Sequence, residues 1–375
     1  MKSLISLLLV LTCYCSYSQT KPVFNDDAKL NRCIAQNTNY FTFNGAKPKG
    51  LGWDLLENLF KENQFVAWGE YHNSPLLSQL TSYALESASK NGYRFFCVET
   101  SPFVASELMR IAHSASPADT LARLFKTGYP NIGTLPFFKS KEDAAMLSTV
   151  KKHNYTIWGI DQEFQMSFSY CLSKVYNVQP KKIKQQFRAV LDSLQAKWWY
   201  PKTKLLDSLK NGISQKNLKA ALDDIKISKE IYRTNDNEGR ALLMKRNFFN
   251  YYRENDKVFF KLGSNHLAKG INIQTNVYDI GNAIYELAQR NQAKFANVYL
   301  MVRYTTEKGK VIDDLYAEEN ENPKIFSKLY DKDRWVLVDI RKLRTALTYD
   351  NSLTKDTYGL LEKYDYILIS PEIML

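Results

Sequence analysis

Short, nearly continuous apolar runs recur along the chain and alternate with longer stretches of helical spacing. Runs of this kind, bounded by polar residues or glycine, are typical of strands buried on both faces of a sheet. The predicted strands are Phe65–Trp68, Tyr93–Val98, Tyr155–Ile160, Val258–Leu262, Phe295–Val302, Trp335–Ile340 and Tyr366–Ile369. The predicted helices include Ser74–Ser89, Phe103–Ser114, Glu142–His153 and Val277–Arg290. This alternation predicts an α/β fold, a mostly parallel β-sheet flanked by helices.

One segment, at about residues 178–252, breaks this alternation. It contains no convincing strand and is rich in Lys, Leu, Asp, Gln and Ala at helical spacing. We interpret it as a helical insertion or cap on a single α/β domain that spans residues 19–375.

The N-terminus has the pattern of an export signal. A lysine precedes an apolar stretch that ends at Cys13, and Ser16-Tyr17-Ser18 is a small-x-small cleavage pattern. Residues 1–18 are therefore predicted to be a cleaved signal peptide, which makes the mature chain periplasmic or secreted. Lipid attachment at Cys13 is the less favoured alternative, because Thr12 precedes the cysteine where Gly, Ala or Ser is usual. No later stretch approaches the ~18 to 20 apolar residues that a membrane span needs.

Charge and cysteine content narrow the class of partner. The formal net charge is +12, but the lysines are scattered rather than gathered in a stripe, which argues against nucleic-acid binding. Beyond the signal peptide the cysteines are Cys33, Cys97 and Cys171, which form neither a disulfide framework nor a thiolate metal site. The expected partner is a small-molecule substrate or ligand.

Ionisable residues follow four of the predicted strands. In open α/β sheets, ligands gather at the carboxyl ends of the strands. The residues at these positions are Glu70, His72, Glu99, Asp161, Glu163 and His266. Asp161 ends its strand directly, so we favour it over Glu163 as a residue of the cleft. Two of the four histidines of the chain thus stand where a proton-transfer group or metal ligand is expected.

These residues lie in short motifs that together resemble a known superfamily. The motifs are Gly69-Glu70-Tyr71-His72, Val98-Glu99, Trp158-Gly159-Ile160-Asp161 and Gly263-Ser264-Asn265-His266, in that order along the chain. They resemble the erythromycin esterase-like, ChaN-like and TIKI/TraB superfamily. The stretch from Arg240 to Asn247 is similar to the Arg-x-x-x-Met-x-x-Asn helix of the esterase branch. The resemblance spans about Leu51 to His266.

The resemblance implies an α/β sheet with helices on both faces and a cleft lined by these histidines and glutamates. For the esterase branch it implies hydrolysis of a cyclic ester by a histidine-activated water, without a covalent serine intermediate. For the ChaN-like branch it implies haem binding or iron uptake, and for the TIKI/TraB branch a metal-dependent peptidase. The chain departs from the esterase pattern because one residue, not two, separates Glu70 from His72, and because Ala241 replaces the Asp that often follows the helix arginine.

The absence of other motifs narrows the chemistry. The chain has no Gly-x-Ser-x-Gly, Gly-x-Gly-x-x-Gly, Walker loop or His-Glu-x-x-His. Two mechanisms remain open. In the first, which needs no cofactor, His72 is the general base toward water, Glu70 or Glu99 fixes its tautomer, and Arg240 or His266 stabilises the oxyanion. In the second, a divalent metal is held by His72, His266, Glu70 and Glu99.

Several of these residues could also have a purely structural role. Glu70 and His72 share a face of an extended backbone, so they could simply bond to each other and cap the helix that begins near Ser74. Arg240 could equally be a surface cation near Glu238. We interpret His113 and His153 as structural residues at helix ends, where a cation is favourable.

The preferred hypothesis is an exported, hydrolase-like protein with a His/Glu/Arg cleft that acts on a water. The competing hypothesis is a protein that binds haem or another iron-bearing molecule without catalysis. The hydrolase hypothesis predicts that His72, Glu99 and His266 converge on a common point.

Overall fold

The computed structural model describes residues 28–43, 47–127, 135–185, 203–272, 274–307, 310–313, 324–347 and 355–371. The signal-peptide prediction and the lipidation alternative at Cys13 lie outside these residues. None of the helices within the described ranges is both long and apolar enough to cross a membrane.

Eight strands form one mixed sheet, and two more form a separate hairpin. The strands are β1 (Thr38–Thr42), β2 (Phe65–Glu70), β3 (Phe95–Val98), β4 (Thr156–Gly159), β5 (Val258–Gly263), β6 (Phe295–Met301), β7 (Tyr304–Glu307), β8 (Lys310–Asp313), β9 (Arg334–Asp339) and β10 (Tyr366–Ile369). The order across the sheet is β1-β9-β10-β6-β2-β5-β3-β4. Only β9 runs against the others of this sheet, since its pairs with β1 and β10 are antiparallel. The predicted α/β fold with a mostly parallel sheet is confirmed.

Helices cover both faces of the sheet. They are α1 (Ala28–Gln36), α2 (Leu51–Glu62), α3 (Pro75–Lys90), α4 (Pro102–Ala112), α5 (Pro117–Thr127), α6 (Lys141–Lys152), α7 (Gln165–Asn177), α8 (Thr203–Asn211), α9 (Lys216–Thr234), α10 (Asn237–Tyr251), α11 (Ile280–Arg290), α12 (Lys324–Ser327), α13 (Arg341–Leu347) and α14 (Lys355–Lys363). A 3₁₀ turn, Ser264–Leu267, follows β5.

Alternating side chains of the central strands of the main sheet enter two separate apolar cores. In β2, Val66 and Trp68 join the core that includes α2, α3, α4 and α6. Phe65 and Ala67 join the opposite core, which includes α10 and α11. Because both faces are buried, the strands are nearly continuous apolar runs in the sequence.

Capping residues start the helices directly after two of the central strands. Ser74 accepts a hydrogen bond from the backbone N–H of Leu77, with Pro75 in the first turn of α3. Ser101 accepts one from the backbone N–H of Val104, with Pro102 in the first turn of α4. Such caps leave only a few residues between the end of a strand and its helix. Two candidate site residues, His72 and Glu99, lie in these short connections.

Helices α8, α9 and α10 lie within the described part of residues 178–252. Asn235, in the left-handed conformation, separates α9 from α10. Helix α10 lies against the sheet, where the Phe248 ring contacts that of Trp158 with 5.9 Å between centroids.

Candidate active site at the carboxyl ends of four strands

The proposed site residues come from four strands that are neighbours in the sheet. The order β2-β5-β3-β4 places the ends of these parallel strands side by side. Glu70 ends β2, Gly263 ends β5, Glu99 follows β3 and Asp161 lies just past β4. Glu70 and Gly263 are directly paired across the β2–β5 ladder. Sheet topology thus brings together residues far apart in the sequence.

Glu99 lies at the centre of this site. Its Oε1 atom lies 3.0 Å from Nη2 of Arg240, 3.5 Å from Nε2 of His266 and 3.6 Å from Nε2 of His72. Its Oε2 atom accepts a 2.6 Å hydrogen bond from the backbone N–H of Gly263. Burial alone would raise the pKa of this carboxyl, but the surrounding positive groups hold it well below its usual range. Glu99 is therefore a fixed anion and a poor proton acceptor.

His72 is the most exposed of the carboxylate-bound groups in the site, with 35% of its side chain accessible. Its Nδ1 atom lies 3.1 Å from Oε1 of Glu70. The Phe137 ring stacks on the imidazole, with 3.7 Å between centroids and 12° between planes. Burial lowers the pKa of His72, although Glu99 opposes the shift. The imidazole is accordingly neutral at neutral pH, and a neutral imidazole can accept a proton.

Glu70 bridges His72 to a buried lysine. Oε2 of Glu70 contacts Nζ of Lys261, while Oε1 faces His72. The Glu70 and Lys261 side chains are 2% and 4% exposed. Burial lowers the pKa of Lys261, but the contact with Glu70 favours the charged ammonium. We therefore treat the two as a buried ion pair.

His266 has a different environment from that of His72. Its Nδ1 donates a 2.7 Å hydrogen bond to Oδ2 of Asp279, and its Nε2 faces Glu99. Burial would lower the pKa of His266, but the carboxylates on both sides raise it to about 10. His266 is therefore a cation at neutral pH.

Arg240 joins the fourth strand end to the centre. Its guanidinium binds Asp161 through Nε, at 3.0 Å, and through Nη2, which also donates to Glu99. Burial would lower the pKa of Arg240, but these carboxylates raise it. Nδ2 of Asn247, on the same helix, donates to the carbonyl oxygen of Ile160 at 3.0 Å. This bond ties α10 to the end of β4 and holds the arginine in place.

Gly263 leaves space between the two histidines. A Cβ atom at this position would lie 3.0 Å from Oε2 of Glu99, 3.6 Å from Nε2 of His72 and 3.7 Å from Cδ2 of His266. Any side chain would therefore project into the middle of the cluster. Because Gly263 has no side chain, the position among Nε2 of His72, Glu99 and His266 is not filled by this residue.

The structure brings all six predicted site residues into one connected cluster, namely Glu70, His72, Glu99, Asp161, Arg240 and His266. Glu163 lies apart from it, since Ser101 donates to its Oε2 atom at 2.5 Å. Burial raises the pKa of Glu163 to about 7. The preference for Asp161 over Glu163 agrees with this geometry.

The structure also shows which of these residues have a purely structural role. Glu70 and His72 do bond to each other, but the Ser74 side chain caps α3. Arg240 binds Asp161 and Glu99. His113 and His153 end helices α4 and α6, as expected for structural residues.

Sequence reasoning missed three partners of the site: Lys261, Asp279 and Phe137. Lys261 carried a usable signal, because a single lysine stands inside an otherwise apolar strand. Asp279 stands where an N-cap for α11 is expected, and its Oδ1 atom indeed accepts from the backbone N–H of Ile280 at 2.7 Å. No local signal marks Phe137, since its stacking depends on tertiary contacts alone.

The site also contains two sets of side chains that could hold a metal ion. They are Glu70, His72 and Glu99, and Glu99, Asp161 and His266. In the first set, Oε2 of Glu70 contacts the Lys261 ammonium and Oε1 of Glu99 accepts from Arg240. In the second set, the Arg240 guanidinium occupies Glu99 and Asp161. Metal ligands must be deprotonated and free of competing cations, so this arrangement does not fit a metal.

No protein-family profile and no curated protein sequence matches this chain. Solved structures do match. A histidine-to-asparagine variant of erythromycin esterase EreC, in its open conformation, aligns with a TM-score of 0.52 and 13% identity over 85% of this chain and 93% of that chain. A succinoglycan biosynthesis protein aligns with a TM-score of 0.53 and 15% identity over 92% of this chain and 96% of that chain.

The predicted resemblance to erythromycin esterase is thereby confirmed at the level of the fold. ChaN of Campylobacter jejuni, which binds heme cofacially, aligns over 88% of this chain and 96% of that chain at 13% identity, with a TM-score of 0.35. Identities this low establish a shared fold and leave function to the chemistry of the site.

Proposed function

We propose that this chain is a hydrolase in which His72 activates a water for attack on an ester, lactone or related bond. One observation carries the proposal: the Nε2 atoms of His72 and His266 lie 3.6 and 3.5 Å from the same oxygen of Glu99, beside Gly263, and their surroundings shift their pKa values in opposite directions. The two imidazoles are thereby assigned different tasks. Pairs of titratable groups whose pKa values are shifted apart by their environments are typical of acid–base catalysis.

In this mechanism His72 accepts a proton from water at Nε2. Glu70, bound to Nδ1, orients the ring and stabilises the imidazolium that forms. A general base of this kind contributes about 100- to 10,000-fold to the rate. The hydroxide that results adds to the carbonyl carbon of the substrate, and His72 later returns the proton to the leaving group.

Arg240 and His266 supply positive charge where the carbonyl oxygen becomes an oxyanion. Asp161 fixes Arg240 and Asp279 fixes His266, and both cations also face Glu99. Preorganised cations need no reorganisation as charge develops, which makes such groups effective in stabilising a transition state. The mechanism requires neither a nucleophilic serine nor a cofactor.

The test uses purified mature chain and a panel of ester, lactone and peptide substrates. Wild-type protein is compared with His72→Ala and with His113→Ala, a matched control because His113 is an exposed helix-end residue. We expect His72→Ala to lose at least about 100-fold in kcat/KM and His113→Ala to lose nothing. Full activity in His72→Ala would refute the assignment of the base. An absorbance titration with haemin separates the competing binding function: tight uptake without hydrolysis would favour it.

We also propose that the chain is exported, which the apolar stretch and the cleavage pattern before residue 19 support. Mass analysis of the protein from a Gram-negative expression host tests this. A mature chain that begins at Gln19 in the periplasm is expected, and an intact N-terminus in the cytoplasm would contradict it.

A further inference from the structure

Lys261 is a charged side chain inside the central sheet. It lies in β5 between Trp68 of β2 and Val98 of β3, to both of which it is paired in register. Its side chain is 4% exposed. Burying an ammonium is unfavourable unless a partner compensates for the lost hydration. Glu70 is that partner.

The pair forms because Lys261 and Glu70 project from the same face of neighbouring strands. Val66 and Trp68 precede Glu70 at two-residue spacing, and Phe259 precedes Lys261 in the same way. All three apolar residues belong to one core, so period-two alternation places both charged groups on that side as well. Nothing about this position requires a lysine for packing, since an apolar residue would continue the core.

The two oxygens of Glu70 have separate tasks. Oε2 contacts Lys261, and Oε1 faces Nδ1 of His72. The charged or titratable groups in contact with Glu70 are thus Lys261 from β5 and His72 from the connection after β2. The remaining cations of the site, His266 and Arg240, face Glu99 on the other side of the imidazole.

We propose that Lys261 is a positioning residue that sets the tautomer of His72. The inference rests on the proposed role of His72 as base. Oε1 of Glu70 lies 3.1 Å from Nδ1 of His72, whereas Oε1 of Glu99 lies 3.6 Å from Nε2. An ionised carboxylate can only accept a hydrogen bond, so the shorter contact places the proton of a neutral His72 on Nδ1 and its lone pair on Nε2. Nε2 is the nitrogen that faces the space beside Gly263. Lys261 thus makes Nε2 the basic nitrogen of His72 by acting through Glu70.

Without the Lys261 ammonium, His72 is expected to adopt the opposite tautomer. A buried carboxyl without a cation favours its neutral acid form, which can donate to Nδ1. The ring proton then moves to Nε2, which can no longer accept a proton. The loss is in kcat rather than KM, because substrate binding does not require the tautomer.

The experiment compares wild type with Lys261→Met and with Lys269→Met. Lys269 is a matched control, because it is also a largely buried lysine bound to a carboxylate, Asp365 at 2.5 Å, away from the cleft. Ring nitrogens of histidine are observed by ¹⁵N NMR, with the His72 signals assigned from His72→Gln. We expect Nδ1–H in wild type and in Lys269→Met, and Nε2–H in Lys261→Met, with kcat reduced about 100-fold. Lys261→Gln, which keeps a donor without the charge, serves if the methionine variant does not fold.

An unchanged tautomer in the folded Lys261 variants would overturn the inference, as would the same change in Lys269→Met. The NMR readout needs no substrate, so it decides the role of Lys261 even if no hydrolysis is found. Absence of hydrolysis in the wild type would count against the proposed function, whereas an altered tautomer in Lys261→Met would still support the positioning role.

Discussion

His266 donates from Nδ1 to Asp279 over 2.7 Å while its Nε2 faces Glu99, and the carboxylates of Glu99 and Asp279 together make its imidazole a cation at neutral pH. Its pKa is raised to about 10, above the ordinary value of 6.5. A raised pKa stabilises the folded state fully below the unfolded pKa, and this contribution is lost as the pH rises toward the folded one. We therefore expect the stability provided by His266 to be complete at pH 6 and to decline toward pH 10.

The variant His266→Gln tests this relationship. It leaves Glu99 and Asp279 buried without their shared cation, which is expected to cost about 3–5 kcal/mol near pH 6. Denaturant unfolding of both proteins at several pH values measures the difference. The gap between wild type and variant should narrow as the pH approaches 10, and a gap independent of pH would contradict the charged state assigned to His266.

Arg240 depends on the geometry of its guanidinium as well as on its charge. One group reaches Asp161 and Glu99 together, which a lysine ammonium cannot reproduce bidentately. We expect Arg240→Lys to reduce kcat about 100-fold with little change in fold. Kinetics and circular dichroism test this, with Arg233→Lys, at an exposed site on α9, as control. Wild-type kcat in Arg240→Lys would show that charge alone suffices.

Gly263 has no side chain to project among the residues of the site. Its backbone dihedrals, φ −49° and ψ 134°, are accessible to alanine, so Gly263→Ala adds a methyl group without backbone strain. The methyl would lie among Glu99, His72 and His266. We expect kcat/KM to fall about 100-fold and stability to change by about 1–3 kcal/mol. Ser264→Ala is the control, because the Ser264 hydroxyl lies against Leu300 of β6. Equal activity in both variants would argue that this space is not used.

Phe137 covers one face of His72 and so contributes to its burial. Replacement by alanine exposes the imidazole and is expected to raise the pKa of His72 toward its ordinary value. Because the base must be neutral, the acid limb of the pH–rate profile should then move to higher pH. Phe137→Leu, which retains apolar cover, should move it less. A profile that is the same in Phe137→Ala and wild type would refute this role of the ring.

The occupied carboxylates predict that hydrolysis does not depend on a metal. Arg240 binds both Glu99 and Asp161, and Lys261 binds Glu70. We expect activity to survive dialysis against a chelator and to be unchanged by added Zn²⁺. Metal analysis of the purified protein accompanies the assay. Loss of activity on chelation, with recovery on zinc addition, would favour the metal mechanism instead.

Local sequence patterns predicted much of the fold. All seven predicted strands occur in the main sheet, because strands buried on both faces must be apolar throughout. The edge strand β1 was missed, since Thr38–Thr42 is largely polar and pairs only with β9. The hairpin of β7 and β8 was missed for a related reason: it lies outside the main sheet and has no continuous apolar run.

The candidate residues were also predictable, but their roles were not. The sequence by itself determined which ionisable groups stand at strand ends, because a buried strand exposes polar side chains only where it stops. Tertiary structure alone decided that His72 is neutral and His266 charged. Each imidazole lies between two carboxylates, but burial dominates at His72, whose ring lies under Phe137, whereas Glu99 and Asp279 dominate at His266. The protonation state of a side chain depends on its neighbours in space, and the order β2-β5-β3-β4 that supplies them is fixed only when the sheet assembles.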